Sequence, residues 1–361
     1  MKKTILTIAA SVLMAASLNA QTLVEGIVSD SKTGDALPFV NIAVSGTSVG
    51  TISDLNGEFK LPVPENMMGR ELTFSSVGFS TATYKIAQVQ NQRVQVTLEP
   101  MDLKIEEVVV TDKSEAGRKV VKNVLDNVVR KYVDCDYAYA GSYRNVFAGP
   151  DGTRTAEYMY NAYDARGYGR GDDNNALQAL NFKFSNTKRD FKVSTYQQGL
   201  NYFAFVQGLD FVRYQLGVMN SLTLKDFDFK IKSESAEYYI IDFSCTKPSL
   251  LNTGACSPAR YSGTITVQKA DNVVSESEYV LELDDINLYG LSISPGSGRG
   301  VISCKVSYQK FTGRYAMSAI SARVDVKGSD RGDYSITDNI TVNSVNYKVP
   351  GKINGKVFFS R

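Results

Sequence analysis

The chain contains no histidine. That removes Ser-His-Asp triads, Cys-His pairs and histidine-bearing zinc sites as ways to activate a nucleophile or a water. Serine, carboxylate and cysteine chemistry remain. Ser-x-x-Lys occurs at Ser29/Lys32, Ser185/Lys188 and Ser307/Lys310, a spacing of common residues that no Ser-Asp-Asn element accompanies. Asp172-Asp173 and Asp284-Asp285 set carboxylates side by side. Glycan hydrolysis needs two carboxyls placed across a cleft, whereas aspartates in polar stretches are ordinarily solvated loop residues. Gly296-Ser-Gly298-Arg-Gly300 lacks the preceding strand and following helix of a phosphate cradle and reads as a loop. Asp54-x-Asn56-Gly57-Glu58 offers too few oxygen ligands at fixed positions for a calcium loop and reads as a turn. The expectation is no catalytic residue, no metal site and no cofactor.

The elements that would position any chemistry are mostly strands. From Val24 to Leu98 short alternating runs are separated by turn residues. Val40, Ile42 and Val44 alternate with Asn41 and Ala43, and Asn56-Gly57 is a strong hairpin signal leading into Phe59 and Leu61. Leu72 to Phe79 and Arg93 to Leu98 complete about six or seven short strands, the pattern of a small sandwich.

The pattern Gly26-x-Val28-x-Asp30, Thr33-Gly34, Leu37-Pro38-x-Val40-x-Ile42, Gly46-Thr47, Gly50-Thr51-x-Ser53-Asp54-x-x-Gly57-x-Phe59, with Val77-Gly78-Phe79 later, resembles the carboxypeptidase-regulatory-like domain. The resemblance implies a transthyretin-like β-sandwich without peptidase activity. Such domains stand at the N-terminus of TonB-dependent receptors and related outer-membrane proteins. Glu106-Glu-Val-Val-Val-Thr111 is similar to the segment joining that domain to the receptor plug, but no plug-like sequence follows.

Lys2 and Lys3 precede an apolar run from Ile5 to Leu18 that ends in Leu18-Asn19-Ala20, which reads as a signal peptide over residues 1–20. The formal charge is +2. Both excess charges lie in that segment, so the chain from Gln21 onward is balanced, which argues against a nucleic-acid partner. Residues 21–100 form the sandwich, 101–113 a linker, and 114–361 a helix with an antiparallel β-rich domain. Asp112 and Glu115 mark a helix start. Val120, Val121, Val124, Leu125, Val128, Val129 and Tyr132 then form one apolar stripe, with Arg118 and Lys122 on a solvated face.

Beyond Tyr137, alternating runs predict a meander of long strands: Tyr137–Tyr143, Phe227–Ile231, Tyr238–Cys245, Tyr261–Val267, Val273–Leu283, Val301–Phe311, Tyr315–Val326 and Tyr334–Tyr347. The fold class is mainly β. An N-terminal seven-strand-type sandwich is followed by one amphipathic helix and a larger curved antiparallel sheet, which resembles the half-barrels of lipoprotein carriers. The aromatic stretch around Tyr202, Phe203, Phe205 and Phe211 reads as core, or alternatively as a surface for an apolar ligand. Cys245 and Cys256 flank a short turn-forming connection and are candidates for a disulfide, with buried free thiols as the alternative. The functional expectation is a non-enzymatic protein exported to the periplasm. It would bind or scaffold at the outer membrane through an envelope partner. A carrier of lipid or another apolar ligand, and a carboxylate-dependent enzyme acting on glycans, are the alternatives.

Overall fold

In a computed structural model the described residues are 21–100, 113–168, 180–189, 203–255, 257–284, 299–328 and 332–348, apart from 38, 39, 46, 48, 54, 55, 77, 78, 81, 91 and 204. The chain divides into two units, one ending at Met101 and the other beginning at Asp102. The segments read as a signal peptide and as a linker lie outside the described residues, except Lys113, which opens the long helix.

The first unit is a sandwich of two small sheets. Strands β1 (Gln21–Asp30), β4 (Glu58–Pro64) and β7 (Arg93–Leu98) form one sheet, ordered β4-β1-β7. Strands β2 (Asn41–Val44), β3 (Gly50–Ile52), β5 (Glu71–Ser75) and β6 (Ala82–Lys85) form the other, ordered β3-β2-β5-β6. Alternation drives the packing. On β4, Phe59, Leu61 and Val63 are buried while Glu58, Lys60 and Pro62 are exposed. They meet Ile42, Val44, Leu72 and Phe74 in one core, which Ile86 and Val89 of the short helix α1 (Ile86–Val89) complete. Two glycines explain part of the N-terminal motif. Gly57 sits at φ +74°, and a β-carbon there would lie 2.4 Å from the Val28 carbonyl oxygen. At Gly26 it would lie 2.1 Å from the Val94 carbonyl oxygen and 2.9 Å from the Phe59 ring, so this strand stays bare for the aromatic residue to pack.

The second unit is one ten-stranded antiparallel sheet with the helix α2 (Lys113–Lys131) against it. Strands β8 (Tyr137–Gly149), β9 (Gly152–Asp164) and β10 (Leu180–Arg189) lead to one edge. The chain then restarts at the opposite edge. It returns as a meander through β11 (Phe227–Glu234), β12 (Tyr238–Cys245), β13 (Pro258–Gln268), β14 (Val273–Leu283), β15 (Arg299–Phe311), β16 (Arg314–Lys327) and β17 (Tyr334–Asn346). The last strand closes the gap by pairing with β8. The sheet is open, with β10 and β11 as its edges.

Register gives the sheet two chemically distinct faces. Tyr158, Tyr143, Ile340, Ile320, Val306, Ser277, Ile265, Ile241 and Ile231 lie side by side across nine strands, and all are buried. The neighbouring row of the opposite face runs Glu157, Arg144, Asn339, Ser321, Lys305, Glu278, Thr264, Asp242 and Lys230. A slip of one residue on any strand would exchange the two sets, so the alternation fixes the register.

Helix α2 buries Val121, Val124 and Val128 on the apolar face, packing on β11, β13 and β14. Two expectations for it need correction. Val129 is half exposed, because the next turn rotates it off the stripe. Arg118 is not on a solvated face: its guanidinium donates to the carbonyls of Leu224 (2.7 Å) and Phe227 (2.9 Å) and stacks over the Phe229 ring. At the other end Arg314 donates to the carbonyls of Val129 and Tyr132, satisfying groups that a helix C-terminus leaves open.

Candidate functional site

The buried face of the large sheet is crowded with aromatic rings, and the chain between Phe203 and Asp226 lies over part of it. Phe203 is fully buried among Tyr143, Tyr160, Phe182 and Phe184, with ring centroids 4.7 to 5.2 Å away. Phe211, in the short helix α3 (Phe211–Tyr214), is buried against Phe243 and Tyr279. Phe205 is half-buried against the same core. Tyr202 lies outside the described residues. The structure therefore brings Phe203, Phe205 and Phe211 to one face of one core and turns them inward.

Polar groups stitch this segment to the sheet. Asp210 caps α3 by accepting from the backbone N–H of Arg213 at 3.0 Å. Its two carboxylate oxygens also accept from the hydroxyls of Tyr308 (2.5 Å) and Tyr168 (3.0 Å). The Tyr168 oxygen in turn accepts from the backbone N–H of Met317. Tyr279 donates to the Leu209 carbonyl at 2.8 Å, and Tyr139 donates to Gln207 at 3.3 Å. The Arg213 guanidinium makes a bidentate pair with Asp164 through Nε and Nη2, both at 2.7 Å. Asp164 also accepts from the backbone N–H groups of Arg166 and Gly167. Asp164, Asp210 and Arg213 are each only 2 to 3% exposed, so this is an interior network.

Burial sets the protonation of its members. Desolvation pushes the hydroxyls of Tyr132, Tyr137, Tyr139, Tyr168 and Tyr308 far above the ordinary phenol range, so they stay protonated and donate. The Asp210 carboxyl is raised by burial, against the opposing pull of the Tyr308, Arg213 and Tyr168 donors. Burial pulls Arg213 down, but Asp164, with Tyr137 and Tyr214 beside it, more than compensates and keeps it charged. A second cluster sits along β8 and β17. Asp338 accepts from Asn145 at 2.6 Å and from Tyr143 at 2.7 Å, and burial lifts its carboxyl to about 6. Asp164 and Asp210 accept from protein donors on both carboxylate oxygens, and Asp338 accepts both of its donors on one. The arrangement stabilises an ordered interior, and it leaves neither Asp164 nor Asp210 accessible to a bulky substrate.

Cys135, Cys245 and Cys304 are free thiols, and burial pushes Cys304 up to about 12, away from thiolate reactivity. Cys256, the proposed partner of Cys245, lies outside the described residues, as do Asp172, Asp173, Asp285 and Gly296 to Gly298. Of the Ser-x-x-Lys pairs, Ser29 and Lys32 lie at the end of β1, where Lys32 and Thr33 donate backbone N–H groups to the Asp30 side chain. The side chains of Ser185 and Lys188 lie outside the described set. Ser307 is on β15, while Lys310 pairs with Asp271 at 2.8 Å. Gly46-Thr-Ser-Val-Gly50 spells the letters of a nucleophile elbow. Gly46 and Ser48 lie outside the described residues, and the stretch stands between strand β2 and strand β3, where that motif calls for a following helix. Among the described residues no group of three or more acidic or cysteine side chains could hold a metal ion. No helix among them is long and apolar enough to cross a membrane, which says nothing of strands.

Residues 24–110 match the family described as CarboxypepD_reg-like domain. The N-terminal unit carries the domain that its motif resembles. A TonB-dependent receptor, P3, from Formosa agariphila is 38% identical over 87 residues. That match spans 24% of this chain and 8% of the receptor's length. Among solved structures, a DUF1329 family protein from Desulfovibrio piger is similar over 67% of this chain and 96% of its own, at 13% identity and a TM-score of 0.28. A domain of a putative outer-membrane lipoprotein-sorting protein from Vibrio parahaemolyticus is similar over 66% and 95%, at 8% identity and a TM-score of 0.27.

Proposed function

We propose that this is a non-enzymatic protein of the bacterial envelope, exported through the N-terminal segment, that binds or scaffolds at the outer membrane. The N-terminal sandwich is its docking module, and its partner is another envelope protein. The observations that carry the reading are the match of residues 24–110 to the CarboxypepD_reg-like domain and the similarity of 87 residues to a TonB-dependent receptor. The interior of the second unit supports it from the chemical side. Its carboxylates and phenols are engaged with one another in a closed core, an arrangement suited to holding shape and not to turnover. The test is fractionation of the source cells with N-terminal sequencing of the recovered protein. A chain beginning at Gln21 in the envelope fraction is expected. A chain retaining Met1 in the cytoplasmic fraction would sink the proposal.

A second reading, a carrier for an apolar ligand, is favoured by one feature: the cluster around Phe203 is an aromatic surface covered by a segment of the same chain. Displacing that segment would expose it. Native mass spectrometry of protein purified from its own envelope would detect a retained lipid, and ligand-free protein would count against this reading.

A further inference from the structure

Six large apolar side chains among the described residues are exposed, and four of them fall in two segments of the second unit: Leu216 (38%), Leu222 (76%), Leu250 (56%) and Leu251 (77%). Leu250 and Leu251 open the short helix α4 (Leu250–Thr253), in the connection between β12 and β13. Leu216 and Leu222 flank the single turn Gly217–Met219. The two pieces pack together. A β-carbon at Gly217 would lie 3.0 Å from the Asn252 carbonyl oxygen, and one at Gly254 would lie 4.0 Å from Leu216 Cδ1. Asn252 is buried and donates to Asp226 and to the Lys247 carbonyl. The base of the tip is thus fixed while its leucines point to solvent, where each exposed side chain is unfavourable.

The two segments themselves carry basic and no acidic side chains. Lys225 and Lys247 are exposed beside the leucines. No acidic residue occurs between Phe211 and Lys225 or between Thr246 and Arg260. Of the nearby acids, Asp226 is turned to Asn252, and Asp284 stands beyond Ser257, to whose carbonyl its backbone N–H donates. Exposed leucines on two segments that pack together and carry lysines without acids match an anionic lipid surface. The apolar groups enter the acyl boundary and the ammonium groups meet the headgroup charge.

We propose that this leucine tip is a membrane-contact site for the anionic face of a lipid bilayer. The proposal stands on the second unit alone and does not depend on what the N-terminal sandwich docks to. The test is flotation of the chain from Gln21 onward, which omits the apolar N-terminal run, with phosphatidylcholine vesicles prepared with and without phosphatidylglycerol. Binding to the anionic vesicles that weakens with added salt is expected. Leu222→Asp/Leu250→Asp/Leu251→Asp should reduce it by at least about tenfold, since each leucine contributes its own buried apolar area. The thermal transition of the second unit should change little, because these side chains are 56 to 77% exposed. Lys225→Glu/Lys247→Glu should reduce binding to the anionic vesicles specifically. No flotation of the unsubstituted chain, or undiminished flotation of the triple leucine variant, would overturn the proposal. So would a dimer in light scattering that the same leucine substitutions dissociate, since the tip would then be covered by a second copy.

Discussion

Asp338 is the residue whose environment gives the plainest solution signature. It lies fully buried between Tyr143 and Asn145. Burial raises its carboxyl to about 6 while the two donors hold it partly back. In the unfolded chain the same group titrates near about 3.9. Between these values the folded protein binds the proton more tightly, so the contribution of Asp338 to stability is full below the unfolded value. It is lost as pH rises through the folded one. The loss amounts to about 3 kcal/mol by pH 7, at about 1.4 kcal/mol for each tenfold change in proton affinity. Asp338→Asn is close to an isostere of the protonated acid and keeps an acceptor for both donors. Its stability relative to the unsubstituted protein should therefore climb between pH 4 and pH 7, as read by urea denaturation across that range. A difference that stays flat or falls would mean that the carboxyl is not buried as described. The tyrosines were legible in the sequence as evenly spaced rings on one face. Their hydrogen-bond partners were not, because Tyr143 and Asp338 are 195 positions apart and no local pattern links them.

Among the elements, the strands and the long helix follow from periodicity, because one face of each is buried and the other is wet. What periodicity does not convey is order within the sheet. The pairing of β17 with β8 joins the last described strand to the first of the unit, and it rests on long-range packing with no signature in either segment. The first part of the segment from Phe203 to Asp226, up to Tyr214, was legible as aromatic, but the segment was not legible as a cover for the sheet. Its short helix α3 is held by Asp210 and Arg213, whose partners Tyr308 and Asp164 are 98 and 49 positions away. The Asp164–Arg213 pair gives a test at this scale. Arg213→Met should cost about 3 to 5 kcal/mol in chemical denaturation, because it strands a buried carboxylate. Adding Asp164→Asn removes that charge and should recover a substantial part of the loss. If the double variant is as unstable as the sum of the two single variants, the guanidinium and carboxylate are not coupled and the segment is held by apolar packing alone.

For the whole molecule, the decisive fact is that apolar burial is partitioned. One core gathers Val24, Phe59, Phe74, Leu98 and their neighbours, and a separate one gathers the rings and aliphatic side chains of the large sheet. A domain's cooperativity comes from its shared core, so two cores predict two units that unfold separately. The N-terminal sandwich encloses a buried core of its own, which predicts that it folds by itself. Calorimetry of the chain from Gln21 should then resolve two transitions. Phe74 is fully buried and packs edge-on to Phe59 and Tyr84, with centroids 5.4 and 5.6 Å away. Phe74→Ala should destabilise its unit by about 3 to 5 kcal/mol, lowering one transition and leaving the other in place. Ile320→Ala, in the core of the large sheet, should do the reverse. One transition that moves as a whole in both variants would show that the two cores unfold as a single cooperative body. In that case the sandwich would not be a separable docking module, and the proposed function would lose its physical basis.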